Sequence, residues 1–230
     1  MKGVKTMSVS LEVWGDYACF SRPEMKVEKV SYDVITPSAA RGILDAILWH
    51  PGMKWHVDRI QVCSPIRFTN IRRNEVSQTI SARNVRAAMG KGAEALDGLY
   101  LVTSDCIQQR AAMILRDVHY VIDAHFEMTD KAAPSDNKAK FREMARKRIA
   151  KGQFYHAPYF GTREFPVQKF QECEERPLCP DELKGEKDLG WMLLDMDFSN
   201  PKDIQPRFFR AVMRDGVIDV PDFESEAVKG

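Results

Sequence analysis

The chain has no run of about 18 apolar residues, so no ordinary helical membrane span is written into it. Met1–Met7 carries two lysines without an apolar stretch behind them, which argues against a signal peptide. The five cysteines (Cys19, Cys63, Cys106, Cys173 and Cys179) are odd in number and none is spaced as C-x-x-C. A disulfide framework and a zinc ribbon are therefore not expected, and a reducing, cytoplasmic location is. There is no H-E-x-x-H and no Walker-type phosphate loop, so neither a metal nor a nucleotide cofactor is expected. An excess of one charge is also missing: 34 basic residues face 33 acidic ones. What is present suits a globular protein. The 230 residues are 44% hydrophobic and 10% aromatic, enough for one large core or a core with a smaller companion.

The near-neutral total conceals an asymmetry. From Gln171 onward there are 15 acidic and 8 basic residues, which leaves 26 basic against 18 acidic in the first 170. Such blocks suggest an anionic partner for the first part, although an unevenly charged solvated surface has the same composition.

Hydrophobic periodicity marks the elements. Val9, Leu11 and Val13 alternate as one face of a strand over residues 8–14. Thr36 then offers an N-cap and Pro37 suits the first helical position. Ala40, Ile43, Leu44, Ile47 and Leu48 form a helical stripe that Pro51-Gly52 ends. Trp55–Phe68 reads as a strand pair or one bent strand. Val118, Tyr120, Ile122, Ala124 and Phe126 alternate against His119, Val121, Asp123, His125 and Glu127. A second helix is expected over Ser135–Lys151, with Gly152 stopping it. Between these lies a segment of poor period, 69–98, with glycine and alanine clustered near Ala87–Ala95. It reads as a basic insertion, partly mobile until an anion binds. The order suits an α+β fold: a β-α-β-β-α-β domain over 1–170, with a small antiparallel β domain over 171–230.

The second helix is the strongest chemical signal. Lys138, Lys140, Arg142, Arg146, Lys147, Arg148 and Lys151 are opposed within it only by Glu143. Cations at this density along roughly 20 Å of helix match a phosphate backbone; a merely solvated helix normally intersperses carboxylates. His119 and His125 lie on one strand face about 20 Å apart and cannot share an ion. Asp123 with His125 lacks a visible third ligand, so these read as polar residues on an open sheet face. Metal-free RNA cleavage needs only the substrate's 2′-hydroxyl, proton-transfer groups and a cation for the charged intermediate.

Several longer segments carry a resemblance. Trp14–Phe20 with Arg22-Pro23-Glu24, Ser31–Val34, Pro37–Ile43, Arg72–Val76, Gly161–Phe165 and Asp188–Asp195 resemble the CRISPR-associated Cas family five, Dvulg subtype. The resemblance implies an RRM-like (ferredoxin-like) N-terminal domain, a small C-terminal β domain and a place in the type I-C Cascade beside its backbone and large subunits. It also implies an endoribonuclease that processes precursor CRISPR RNA and holds its 5′ handle. Arg72, Arg73, Lys138, Arg142, Arg146, Lys147 and Arg163 are then expected to contact RNA.

The family's site carries over in part. Members with the described site have a Tyr in an Ile-Tyr-Trp-Lys-Pro context and a Lys-His pair at the second helix. Here those segments read Ile47-Leu48-Trp49-His50-Pro51 and Lys140-Phe141. The lysine survives; Leu48 and Phe141 replace the proton-transfer groups. Three alternatives stay open. The chain cuts RNA with Lys140 at the phosphate and His50 or the Tyr155-His156 pair moving protons, it only grips the handle, or its basic surface also serves DNA.

Overall fold

The computed structural model describes residues 9–25, 27–90 and 99–230. The expectation for Met1–Met7 lies outside them, as does the part of the 69–98 segment at 91–98. The strand β1 (Val9–Ala18) is followed by the short β2 (Lys29–Val30), α1 (Pro37–Ile47) and β3 (Met53–Val62). Next come β4 (Phe68–Val76), α2 (Ala82–Met89), the one-turn α3 (Thr103–Cys106) and the 22-residue β5 (Ile107–Met128). The chain continues through α4 (Lys138–Ala150), β6 (Lys169–Glu172), β7 (Glu186–Asp197), β8 (Gln205–Arg214), β9 (Val217–Asp219) and β10 (Val228–Lys229). The result is an α+β protein dominated by antiparallel sheet.

Both main helices begin where capping chemistry places them. Thr36 Oγ1 accepts from the Ala39 N–H at 3.2 Å, and Pro37 needs no donor at that position. The second helix starts three residues later than its composition suggests, because Asn137 takes the cap and accepts from the Lys140 N–H at 2.9 Å. It ends on Gly152 at φ 62°, with Gly152 N–H donating to Ile149 and Gln153 N–H to Arg148. That bond pattern is a Schellman stop.

The central strands lie in the order β3-β5-β1-β6, all antiparallel, and β9 extends this sheet by pairing with β3. Register places Leu11 opposite Ile122 and Val13 opposite Tyr120, and all four are buried. Ile43, Leu44 and Ile47 of α1 and Phe141, Ala145 and Ile149 of α4 belong to the same core. So do Met192, Phe209 and Ile218 of the last strands. Residue 170, where the charge balance changes, falls inside β6.

Two expectations need correction. Trp55–Phe68 is one strand, β3, that ends at Val62, with the next strand beginning at Phe68. More substantially, residues 69–76 are not a loose insertion. All nine residues of β4 pair antiparallel with the first part of β5, from Phe68↔Leu115 to Val76↔Ile107. The alternation carries little hydrophobic signal because the half-buried positions are Thr69, Ile71, Arg73 and Glu75, mostly polar. They are satisfied laterally, with Glu75 between Arg73 (3.3 Å) and Arg110 (3.4 Å). Along one edge β5 thus serves two ladders, with β3 from Met128 to Tyr120 and with β4 from Leu115 to Ile107, and Asp117, at φ 55°, sits between them.

Gly161 shows why one loop residue cannot vary. At φ 81°, its added Cβ would lie 2.0 Å from the Cys19 carbonyl oxygen. That approach lets the Cys19 N–H bond the Phe160 carbonyl at 3.1 Å, tying this loop to the end of β1.

Candidate nucleic-acid interface and processing site

The chain leaves α1 at Leu48, which is 1% exposed; its carbonyl accepts from Trp55 Nε1 at 2.8 Å. Phe141 is 0% exposed and meets Phe126 edge-on at 6.2 Å. The positions where the resemblance implies Tyr and His are therefore core positions filled by core residues. A buried leucine and phenylalanine can neither take nor give a proton.

His50 stands two residues past Leu48, half-buried, with its ring 4.8 Å from that of Phe141. Its Nδ1 accepts from the Gly52 N–H at 3.0 Å. A nitrogen that accepts a backbone N–H carries no proton of its own, which assigns the neutral ring's proton to Nε2. His50 thus presents a donor.

Lys140, in the first turn of α4, reaches Asp136 Oδ1 at 2.7 Å. The hydrogen bond from Lys140 holds the Asp136 carboxyl below its usual range, helped by the Ala133 N–H. Phe141, the residue after Lys140, carries the His50 ring on its face, so His50 lies beside the first turn of α4.

His156 is exposed and lies elsewhere, in the loop after α4. Its ring stacks on Tyr159 at 6.4 Å and meets Tyr155 edge-on at 6.1 Å. The Nδ1 faces the Ala157 carbonyl at 3.4 Å, an oxygen that can only accept. That orientation favours the proton on Nδ1 and leaves an acceptor lone pair on Nε2, the reverse of His50. Burial raises the pKa of Asp45 while Arg41 draws it down, and the Tyr155 N–H on the Ala46 carbonyl holds this loop beside the end of α1. Among the described residues, His156 makes no hydrogen bond or ring contact with His50 or Lys140.

The cations divide into held and available. Arg146 pairs with Glu172 of β6 at 3.1 Å and Lys147 with Glu143 at 3.2 Å. Arg148 donates to the Ile47 carbonyl at 2.7 Å. Lys138, Arg142 and Lys151 have no carboxylate partner among the described residues. Arg72 and Arg163 are exposed. Arg73 points the other way from Arg72 on β4, with a side chain only 16% exposed, and gives both Glu164 oxygens hydrogen bonds. Its role in the free protein is a tie between strand and loop.

That tie was not foreseen, nor was a second one. Arg41 donates to Asp195 through Nε (2.6 Å) and Nη2 (2.9 Å) and to Asp45 through Nη1 (2.5 Å). Segments singled out separately in the sequence thus meet in pairs: Arg72–Val76 with Gly161–Phe165, and Pro37–Ile43 with Asp188–Asp195. Their spacing in the chain carries no signal of this. The strand-face residues are likewise committed: His119 to Glu12 at 2.8 Å, His125 to Asp58 at 2.8 Å, and Asp123 to Ser10 and Arg176. His125 also stacks on His56 at 5.2 Å.

Comparison with known proteins locates the chain. The sequence model of a CRISPR-associated protein family (Cas_Cas5) matches residues 8–221. The CRISPR pre-crRNA endoribonuclease Cas5d of Mannheimia succiniciproducens is 51% identical over 224 residues, covering 96% of this chain and 98% of that protein. The protein of the same description from Thermus thermophilus is 37% identical, covering 93% and 91%. Among solved structures, a CRISPR-associated protein superposes with a TM-score of 0.67 at 22% identity, covering 97% and 96%. The Streptococcus mutans protein SMU1763c, described as functionally uncharacterized, gives 0.65 at 21%, covering 97% of each.

Proposed function

The chain belongs to the Cas5d family of CRISPR-associated proteins, and from that membership we propose that it is a precursor CRISPR RNA endoribonuclease and a subunit of the type I-C Cascade. The observation that carries the catalytic part is that Lys140, paired with Asp136, opens a cationic helix on whose next residue, Phe141, the His50 ring packs.

The core is RRM-like. The strand order β6-β1-β5-β3, with one helix after β1 and another after β5, supports that reading. The division at residue 170 is one of charge: the first part carries the processing residues, and the acidic remainder supplies Glu172, the partner of Arg146.

RNA lies along α4, held by Lys138 and Arg142, with Arg146 and Lys147 exchanging their carboxylates for phosphates; Arg72, Arg73 and Arg163 extend the track. Cleavage needs no metal. The 2′-oxygen attacks the adjacent phosphorus while its proton passes to Nε2 of His156. The P–O5′ bond breaks as Lys140 neutralises the phosphoryl charge and protonates the leaving 5′ oxygen, regaining its proton from water. His50 donates its Nε2–H to the developing negative charge. The products are a 2′,3′-cyclic phosphate and a free 5′-hydroxyl. The backbone and large subunits of Cascade assemble around the bound guide, in the cytoplasm.

Incubating the protein with its cognate repeat RNA in EDTA tests this. One cut, a cyclic phosphate end and loss of cutting on 2′-deoxy substitution just upstream are expected. Tight binding without any cut would favour the handle-gripping alternative, and equal affinity for duplex DNA would favour the DNA-binding one.

A further inference from the structure

Three aromatic rings stand in water where α1 ends. Trp49 is 63% exposed, Tyr155 83% and Phe154 49%. They come from two segments pinned to each other: the Tyr155 N–H donates to the Ala46 carbonyl at 2.8 Å, and Arg148 donates to the next carbonyl, Ile47, at 2.7 Å. Trp49 is three residues beyond Ala46, so its backbone lies within about 11 Å of that anchor. The Schellman stop at Gly152 fixes the direction in which Phe154 and Tyr155 leave α4. Exposed rings gathered this way are not single scattered apolar residues, which need no explanation. His156 and Tyr159 continue the row through ring contacts of 6.1 and 6.4 Å.

The surroundings say which partner fits. His50 follows Trp49 directly, Lys151 lies at the end of α4 without a carboxylate among the described residues, and α4 leads away with its remaining cations. Planar rings beside a cationic track suit single-stranded nucleic acid, whose bases stack on aromatics while phosphates follow the charge. Trp, Tyr and cations are also frequent in protein interfaces, so joining of the other subunits is measured beside RNA binding.

We infer that Trp49 and Tyr155, with Phe154 beside them, form a stacking platform that holds unpaired bases of the RNA next to the scissile phosphate. The inference rests on the processing role proposed above and adds the feature that selects unpaired RNA at this site. The rings touch bases rather than reacting atoms, so they position the substrate.

The test is binding, read apart from cleavage. Anisotropy is measured with a labelled single-stranded RNA of about 12 nucleotides, with the same strand in duplex, and with versions carrying abasic nucleotides. Trp49→Ala and Tyr155→Ala should each weaken single-strand binding about 5- to 150-fold, while Trp49→Phe and Tyr155→Phe stay near the parent. The slope of log affinity against log salt should not change, since no phosphate contact is removed. An abasic nucleotide at the platform should weaken the parent but not Trp49→Ala. Both rings are exposed, so thermal midpoints should match the parent.

Parental affinity in both alanine variants overturns the platform, as does a slope reduced by about 0.7 or indifference to abasic RNA. Alanine variants that bind RNA normally but no longer join the other Cascade subunits mark a protein interface and also overturn it. A parent that never cuts repeat RNA but shows the full ring dependence keeps the platform and removes the processing reading.

Discussion

His50 makes two separable uses of one ring, and substitutions can remove them one at a time. Its Nδ1 accepts from Gly52 N–H at 3.0 Å, and its face packs on the buried Phe141 ring. Its Nε2–H is the group assigned to developing charge. In His50→Asn the amide oxygen falls near the old Nδ1 and keeps the Gly52 bond, but nothing reaches the Nε2 position. In His50→Gln the amide nitrogen reaches the Nε2 position while the Nδ1 acceptor is lost. His50→Ala loses both. Losing one donor to a charged transition state costs about 10²- to 10³-fold in rate. Single-turnover cleavage should therefore fall by that factor in Ala and Asn, and by less than about tenfold in Gln. Stability should sort differently. Removing the Gly52 acceptor and the ring contact costs about 1–2 kcal/mol, a shift of a few degrees in a protein of this size. Asn should stay closest to the parent in thermal unfolding. A variant that is stable but inactive beside one that is looser but active is the expected crossing. Asn cutting at the parental rate, or Gln as inactive as Ala, would refute the donor role.

Salt titration of RNA binding should distinguish the cations of α4. Lys138→Ala and Arg142→Ala should each lower the log–log slope by roughly 0.7, whereas Arg146→Ala and Lys147→Ala should change it less because their carboxylates must first be released. The Cys63 thiol is pushed up to about 12, chiefly by burial and then by the Glu12 charge, so it should resist thiol reagents at pH 8 until the protein unfolds. Because its folded pKa lies above the unfolded value, the unfolded chain loses its proton first; this thiol has no effect on stability below about pH 8.5 and lowers it as pH rises toward 12, a decline that Cys63→Ser should reduce in alkaline denaturation. Gly161→Ala combines φ 81° with a clash on the Cys19 carbonyl and should cost at least about 2 kcal/mol in urea unfolding.

The helices could be read from the sequence because caps and stripes are local: Thr36 with Pro37, the apolar positions of α1, and Gly152. The β1 and β5 alternation was legible for the same reason, since Val9, Leu11 and Val13 face a core that needs period two. β4 was not, because only Ile71 of its half-buried positions is apolar; Arg73 and Glu75 look like solvent-facing residues until Arg110 and Glu164 arrive from elsewhere. The candidate site divides likewise. The cationic helix is visible residue by residue, and so are the Leu48 and Phe141 that stand where the resemblance implies Tyr and His. What could not be read is which cations already hold a carboxylate, that Phe141 carries the His50 ring beside Lys140, and which nitrogen of each histidine carries the proton. Those depend on neighbours that only folding supplies.

The double service of β5 has a mechanical consequence. From Asp117 to Ile107 the strand runs ten residues, about 33 Å at the usual rise, paired along nearly all of that length with β4. Two hydrogen-bonded strands behave as a stiff bar, and its base at Asp117, with its left-handed backbone, is pinned on the other edge by β1, which pairs with Val118 on one side and with Arg116 and Leu115 on the other. A tilt of about 5° there carries the far end through about 3 Å, the size of a hydrogen bond. Whatever engages the ends of β4 and β5 therefore registers small rotations at Asp117 as the making or breaking of individual contacts.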